Sequence, residues 1–228
     1  MIESVIATQV HGRYLVRPAE SSLVLAGFHG YGESAHTHFA RLEHTPGSEQ
    51  WFLISIQGLH RFYERRTNAV VASWMTSQDR ELAIADNIAY IARVLQNAVP
   101  AWPEVRGAVF AGFSQGVAMA FRAAVTTRGP AAAATRPWRD RPQCHVLAVG
   151  GDIPPELSAH DLGRLSSVLV CRGAEDPWYG RDAYERDVAR LTDAGVPVEA
   201  VVVPGAHEWS SDVTTRAGNY LTLVRARV

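Results

Sequence analysis

A serine flanked by glycines stands between two apolar runs near the middle of the chain, in Gly112-Phe113-Ser114-Gln115-Gly116. Residues 105–111 are predicted to form a buried strand and residues 117–125 a helix. A G-x-S-x-G sequence between a strand and a helix is typical of the tight turn that exposes a nucleophilic serine. The alternative is a structural turn that happens to contain a serine. The strand–turn–helix context favours Ser114 as a nucleophile.

A serine hydroxyl is a weak nucleophile, so it needs a base, and the base needs an acid to orient it. Three histidines follow Ser114 in the chain, namely His145, His160 and His207. His145 opens a predicted strand and His160 lies in a polar stretch, whereas His207 follows the last predicted strand. Because ligands of open α/β sheets bind at the carboxyl ends of strands, His207 is the predicted base. Its alternative role is a solvent-facing loop histidine.

The same argument applies to the acid. Asp176 lies one loop beyond the predicted strand over 167–171 and is the predicted partner of the histidine. Two alternatives stay open. Glu175 is adjacent but has a longer side chain, and Asp152 follows the preceding strand, where it could instead be a turn residue.

An oxyanion hole needs two donors that point to the developing negative charge. The backbone N–H of Gln115 is the first predicted donor. The second is the N–H of Tyr31, because Phe28-His29-Gly30-Tyr31-Gly32 follows an early strand and has the H-G-x-G pattern of such loops. His29 is predicted to support this loop through hydrogen bonds.

The elements that must position these residues alternate along the chain. Apolar and β-branched runs predict strands over 13–17, 23–28, 51–56, 105–111, 144–149, 167–171 and 198–203. Helical periodicity predicts helices over 79–98, 117–125, 181–194 and 212–225. Such alternation predicts an α/β fold with a mostly parallel central sheet and helices on both faces.

The length of 228 residues suits a single domain, predicted over 1–228. Within it, residues 126–142 contain Gly-Pro, consecutive alanines and a mixture of arginine and proline, which predicts an exposed connecting segment. The sequence shows no internal repeat.

Composition and charge exclude several classes of function. Hydrophobic residues make up 47% of the chain and the net charge is -1, which is typical of a globular protein without a broad basic surface for nucleic acid. No signal peptide and no membrane-spanning run are evident, so a cytoplasmic protein is expected. A homodimer is one oligomeric state compatible with the sequence.

Four motifs together resemble those of the phospholipase/carboxylesterase family of α/β hydrolases, which includes the acyl-protein thioesterases. They are His29-Gly30-x-Gly32, residues 112–116, Gly173-x-x-Asp176 and Gly205-Ala206-His207. The resemblance spans nearly the whole chain. It implies an α/β-hydrolase fold with little or no cap domain. It also implies hydrolysis of a small-molecule ester or thioester on a Ser114–Asp176–His207 triad, without metal or cofactor.

The chain departs from the family pattern near the acid, where Pro177-Trp178-Tyr179 replaces small aliphatic residues. These bulky residues favour a short or differently shaped acyl pocket. Its candidate lining is aromatic and apolar, although local packing explains each residue equally well: Trp74, Met75, Trp178, Tyr179 and Trp209. Arginines at 61, 65 and 66 could attract an acidic substrate, but a solvated loop is the simpler interpretation.

Three other functions are compatible with the sequence. The first is a non-catalytic binding protein that retains a hydrolase fold, and the second is acyl transfer or peptide cleavage on the same triad. The third is a metal-dependent hydrolase that uses the early histidines, of which His36-x-His38 has poor spacing for a zinc site.

Overall fold

The structure, a computed structural model, describes residues 1–99, 104–126 and 142–228. The strands are β1 (Tyr14–Arg17), β2 (Leu23–Phe28), β3 (Phe52–Ile56), β4 (His60–Tyr63), β5 (Val70–Ser73), β6 (Gly107–Phe113), β7 (Gln143–Val149), β8 (Ser167–Gly173) and β9 (Val198–Val203). The helices are α1 (Ala35–Glu43), α2 (Arg80–Ala98), α3 (Gln115–Thr126), α4 (Ala159–Leu162), α5 (Arg181–Asp193) and α6 (Ser211–Arg227), with a 3₁₀ turn over Ser48–Gln50. Within these ranges, no helix combines the length and the apolar character that crossing a membrane requires.

Seven strands form the central sheet in the order β1-β3-β2-β6-β7-β8-β9. The strand β1 pairs antiparallel with β3, and every other neighbouring pair in this sheet is parallel. The prediction of a mostly parallel sheet is therefore confirmed. Because their carboxyl ends point the same way, β2, β6, β8 and β9 deliver their following loops to one edge of the sheet.

The two faces of the sheet are covered by different helices, as predicted. Side chains alternate along a strand, so Val24 and Phe28 of β2 belong to the core that includes α2, α3 and α5. Leu23 and Leu25 belong to the core that includes α1 and α6. Burial on both faces explains why the central strands are apolar at nearly every position.

Besides the 3₁₀ turn, a helix, a hairpin and a single helical turn were not predicted. The helix α1 carries the early histidines; it begins after Ser34, whose side chain accepts a hydrogen bond from the N–H of Thr37. The strands β4 and β5 form an antiparallel hairpin outside the main sheet, with mostly exposed residues on β4. The third is the single turn α4. The predicted exposed connection over 126–142 lies outside the described residues, except at its two ends.

The hairpin is attached at the edge where the functional loops meet. The N–H of Ala72 donates to the carbonyl of Glu33 at 2.8 Å, and the N–H of Gly32 donates to the carbonyl of Ala72 at 3.0 Å. Asn87 of α2 donates from Nδ2 to the carbonyl of Trp74 at 2.7 Å. These bonds place the segment after β5 beside the loop after β2.

Candidate active site

Ser114 is the single residue between β6 and α3, and its φ is 52°. This left-handed conformation is uncommon for a residue with a Cβ, and it persists only where the surroundings enforce it. Here the N–H of Ser114 donates to the carbonyl of Val149 on β7 at 2.9 Å, and its own carbonyl accepts from the N–H of Val117 at 3.0 Å. The turn therefore holds Ser114 at the carboxyl edge of the sheet.

The two glycines that flank this serine are required by close contacts. A Cβ at Gly112 would lie 2.6 Å from the backbone of Val117 in the first turn of α3. A Cβ at Gly116 would overlap the carbonyl oxygen of Phe28 at the end of β2. Only glycine lets the helix approach both strands this closely.

Asp176 and His207 are joined by a hydrogen bond of 2.8 Å from Nδ1 of the imidazole to Oδ2 of the carboxylate. The other oxygen, Oδ1, accepts from the N–H groups of Trp178 at 2.8 Å and Tyr179 at 2.9 Å. The carboxylate is buried, and these three donors fix its orientation. With Nδ1 donating to Asp176, Nε2 of His207 is the nitrogen left to act as a base.

His207 and Ser114 line the same cavity. The imidazole packs against the ring of Phe113, with 5.1 Å between ring centroids. Gly150 allows the close approach, because a Cβ there would lie 3.2 Å from Cε1 of His207. The hydrogen bonds of the described residues include none between the Ser114 hydroxyl and His207.

The alternative acids and bases lie in other surroundings. His145 is buried inside β7, where its Nδ1 is 2.8 Å from the hydroxyl of Ser167 and burial lowers its pKa to about 4. His160 is exposed on α4, and Glu175 is exposed beside Asp176. Asp152 does line the cavity, but its carboxylate lies 3.3 Å from Nη2 of Arg186. None of these four side chains forms a hydrogen bond with His207 within the part of the chain that the structure describes.

The two predicted oxyanion donors lie on adjoining loops. Gln115 is the first residue of α3, where backbone N–H groups lack a partner within the helix and the helix dipole favours negative charge. In the loop after β2, the N–H groups of Gly30 and Gly32 are bonded to Glu33 and Ala72. The N–H of Tyr31, between them, has no acceptor among the described residues. The side chain of Tyr31 points away, against Phe62, and does not line the cavity.

His29 supports this loop from beneath. Its Nδ1 donates to the carbonyl of Gly30 at 2.7 Å and its Nε2 accepts from the N–H of Gly58 at 2.9 Å. Burial lowers its pKa. Because Nε2 accepts from an N–H group while Nδ1 donates to a carbonyl, the imidazole is neutral and both of its nitrogens are bonded to backbone groups.

The side chain of Gln115 makes a connection that the sequence analysis missed. Its Oε1 accepts from the N–H of Trp74 at 2.9 Å, and its Nε2 donates to the carbonyl of Met75 at 3.0 Å. The indole of Trp74 in turn donates to the carbonyl of His29 at 2.8 Å. The residue after the candidate nucleophile thus joins the segment after β5 to the loop after β2. No local sequence pattern predicts these hydrogen bonds of Gln115, because Trp74 and Met75 lie about forty residues away in the chain.

The cavity beside Ser114 has a volume of about 490 Å³. Of the five predicted pocket residues, Met75, Trp178 and Tyr179 line it, and Trp74 and Trp209 do not. Trp74 is fully buried and stacked on His29, at 5.1 Å between ring centroids. Trp209 packs edge-on against Phe113 on the opposite face of the sheet.

Basic residues contribute to the cavity in a way that was not predicted. The arginines at 61, 65 and 66 are exposed on β4 and the following turn and do not line it. Four others do: Arg80, Arg122, Arg186 and Arg190. Among the described residues, no group of three or more histidine, cysteine, aspartate or glutamate side chains is arranged to hold a metal ion.

Comparison with solved structures finds the same fold in several esterases. The chain is similar to esterase PE8, with a TM-score of 0.68 and 19% identity over 94% of this chain and 100% of that chain. It is similar to a carboxylesterase from Bacillus cereus, with a TM-score of 0.66 and 15% identity over 93% of this chain and 94% of that chain. It is also similar to a phospholipase/carboxylesterase from Dyadobacter fermentans, with a TM-score of 0.63 and 20% identity over 95% and 99% of the two chains.

These likenesses confirm the α/β-hydrolase fold and are consistent with the family resemblance in the sequence. No protein-family model and no curated protein matches the chain. At identities of 20% or less, the comparisons establish the shared fold alone.

Proposed function

We propose that this chain, which has the α/β-hydrolase fold, is a serine hydrolase that cleaves carboxylic esters or thioesters through an acyl-enzyme intermediate. One observation carries the proposal: Ser114, in a left-handed turn at the end of β6, lines the same cavity as His207, whose Nδ1 is held by buried Asp176. Nucleophile, base and orienting acid are the three parts that such chemistry requires.

In the proposed reaction, Oγ of Ser114 attacks the acyl carbonyl while Nε2 of His207 accepts the hydroxyl proton. The carboxylate of Asp176 stabilises the resulting imidazolium through Nδ1. The tetrahedral intermediate then collapses, and His207 returns the proton to the departing alcohol or thiol. A water molecule deprotonated by His207 finally attacks the acyl-serine and releases the acid.

The developing oxyanion is assigned to the N–H groups of Gln115 and Tyr31. The helix dipole at the start of α3 and the unused N–H of Tyr31 support this assignment. An oxyanion donor is worth about 100- to 1,000-fold in rate. The proposed class is therefore a carboxylesterase-like or phospholipase-like hydrolase that acts on small-molecule substrates. We propose that the chain forms a single domain.

The test is hydrolysis of p-nitrophenyl esters from acetate to palmitate by the wild type and by Ser114→Ala. We expect the wild type to turn over at least one ester and Ser114→Ala to lose that activity. A matched control, Ser211→Ala, removes the hydroxyl of an exposed serine at the start of α6 and should retain activity.

A fluorophosphonate probe adds a readout that does not depend on the choice of ester. Labelling of the wild type and of Ser211→Ala, but not of Ser114→Ala, supports a nucleophilic serine. A folded wild type that neither hydrolyses an ester nor reacts with the probe would contradict the proposal and favour a binding protein with a hydrolase fold. Transfer of the acyl group to an added amine or alcohol, in preference to water, would indicate an acyltransferase.

A further inference from the structure

We infer that the ester cleaved at Ser114 carries a carboxylate or phosphate group that binds at the Arg122 end of the cavity. This inference rests on the proposed function and specifies the chemical class of its substrate. The basis is the placement of four guanidinium groups around the cavity that Ser114 and His207 line.

Arg122 is the central observation. It lies on α3, eight residues after Ser114, which corresponds to about 12 Å along the helix axis. Its side chain is almost fully buried, yet it borders the cavity. A guanidinium is always charged and offers five N–H donors, so burying it requires acceptors.

The acceptors that the protein supplies to Arg122 are incomplete. Its Nε donates to Oε1 of Glu156 at 2.7 Å, and Nη2 lies 2.7 Å from the same oxygen. That second contact lacks hydrogen-bond geometry, which leaves Nη2 buried without a hydrogen-bond partner. Nη1 has only the thioether sulfurs of Met75 at 3.9 Å and Met119 at 3.8 Å, and thioethers are weak acceptors.

The charges around Arg122 leave the cavity positive. Asp152 is the carboxylate that lines it, 3.3 Å from Arg186. Arg190 directs its donors at three backbone carbonyls, and its nearest carboxylate, Asp187, lies 3.7 Å away. Among the described residues, three carboxylates, those of Asp152, Glu156 and Asp187, form the salt bridges recorded for these four guanidinium groups.

Arg80, which also lines the cavity, adds a further positive charge near Arg122 and Glu156. It is the first residue of α2 and is exposed, and it forms no salt bridge in the described part of the chain. A cavity that accepts a neutral acyl chain would be more stable with an apolar side chain than with a buried, partly paired guanidinium. The planar fork of Arg122 matches the two oxygens of a carboxylate or of a phosphate.

The experiment compares esters that differ in one charged group. On the acyl side, the p-nitrophenyl esters of butyrate, glutarate and 4-phosphonobutyrate separate a neutral chain from a carboxylate and a phosphonate. On the alcohol side, phenyl butyrate is compared with the butyryl ester of 4-hydroxybenzoate. We expect the wild type to prefer one anionic ester over its neutral counterpart by about tenfold or more in kcat/KM, as a charge-assisted hydrogen bond predicts.

Variants then assign the preference. Arg122→Gln should lower the anionic-to-neutral ratio about ten- to hundredfold, mainly through KM for the anionic ester. Arg80→Gln, at an exposed site, should lower the ratio by a smaller factor and provides a second test if Arg122→Gln does not fold. The matched control Arg181→Gln, on the exposed side of α5 outside the cavity, should leave the ratio at the wild-type value.

The outcomes separate this inference from the proposed function. A wild type that labels with the fluorophosphonate probe and prefers the neutral ester of each set overturns the inference while the proposed function stands. An anionic preference that neither Arg122→Gln nor Arg80→Gln reduces also overturns it. Failure of every ester together with failure of probe labelling contradicts the proposed function itself.

Discussion

The backbone N–H of Trp74 donates a 2.9 Å hydrogen bond to the side-chain oxygen of Gln115. Through this bond, and through the one from Nε2 to Met75, the residue after the candidate nucleophile positions the segment that follows the β4–β5 hairpin. The side chain of Gln115 thus has a role separate from that of its backbone N–H.

Replacing this side chain should damage both stability and activity. We expect Gln115→Leu to lower the free energy of unfolding by about 1–3 kcal/mol, because the N–H of Trp74 loses its acceptor and the carbonyl of Met75 loses one of its two donors. We also expect kcat/KM for esters to fall about tenfold, because the adjoining loop is released. Gln115→Glu keeps an acceptor for the N–H of Trp74, so its stability and activity should lie between those of the wild type and those of Gln115→Leu. Urea titration and ester kinetics measure these effects, and a Gln115→Leu variant with wild-type values would contradict the role.

Asp176 is expected to hold His207 in the tautomer that catalysis needs. Asp176→Asn preserves the shape but can present an N–H to Nδ1, so we expect kcat to fall about 10⁴-fold with the fold retained. The control is the neighbouring exposed residue, Glu175→Gln, which should keep wild-type kcat. Both variants are measured in parallel on one ester. Equal losses of kcat would show that Asp176 is not the acid that orients His207.

Gly116 is expected to be required because there is no space for a Cβ at this position. Because a Cβ at this position overlaps the carbonyl of Phe28, we expect Gly116→Ala to destabilise the protein by about 3 kcal/mol or more. The control Gly180→Ala adds a Cβ that meets no atom within 4 Å and should cost less than about 1 kcal/mol. Thermal or urea unfolding of both variants provides the comparison. Similar midpoints for the two would show that α3 can move away from β2 without cost.

His38 links stability to pH. Burial lowers its pKa to about 3, whereas an unfolded histidine titrates near 6.5. Between these pH values the unfolded chain binds the proton and the folded protein does not. Stability therefore falls as pH decreases through this window, by about 1.4 kcal/mol per pH unit from this group.

The variant His38→Gln should remove that contribution. We expect its free energy of unfolding to depend less steeply on pH between about 6.5 and 4.5, as measured by urea titration at several pH values. His36→Gln alters an exposed side chain two residues earlier on the same helix and should keep the wild-type slope. An unchanged slope in His38→Gln would mean that His38 is protonated within the fold.

Much of the fold followed from local patterns in the sequence. Buried strands such as Leu23–Phe28 and Gly107–Phe113 are short apolar runs, and the long helix over Arg80–Ala98 has helical periodicity and ends before a proline. The β4–β5 hairpin was not predicted, because both strands are short and most residues of β4 are exposed. It is held by bonds to distant segments, which no local pattern encodes.

The sequence by itself determined which residues could perform nucleophilic chemistry. Ser114, Asp176 and His207 each follow a strand that can be recognised from its own run of apolar residues. Tertiary structure decided what surrounds them. Arg122 lies among apolar residues in the middle of α3, and only packing of α3 against the sheet turns its side chain toward the cavity. Side-chain partners depend on elements brought together across the sheet, so the charge of the cavity emerges only when the chain has folded.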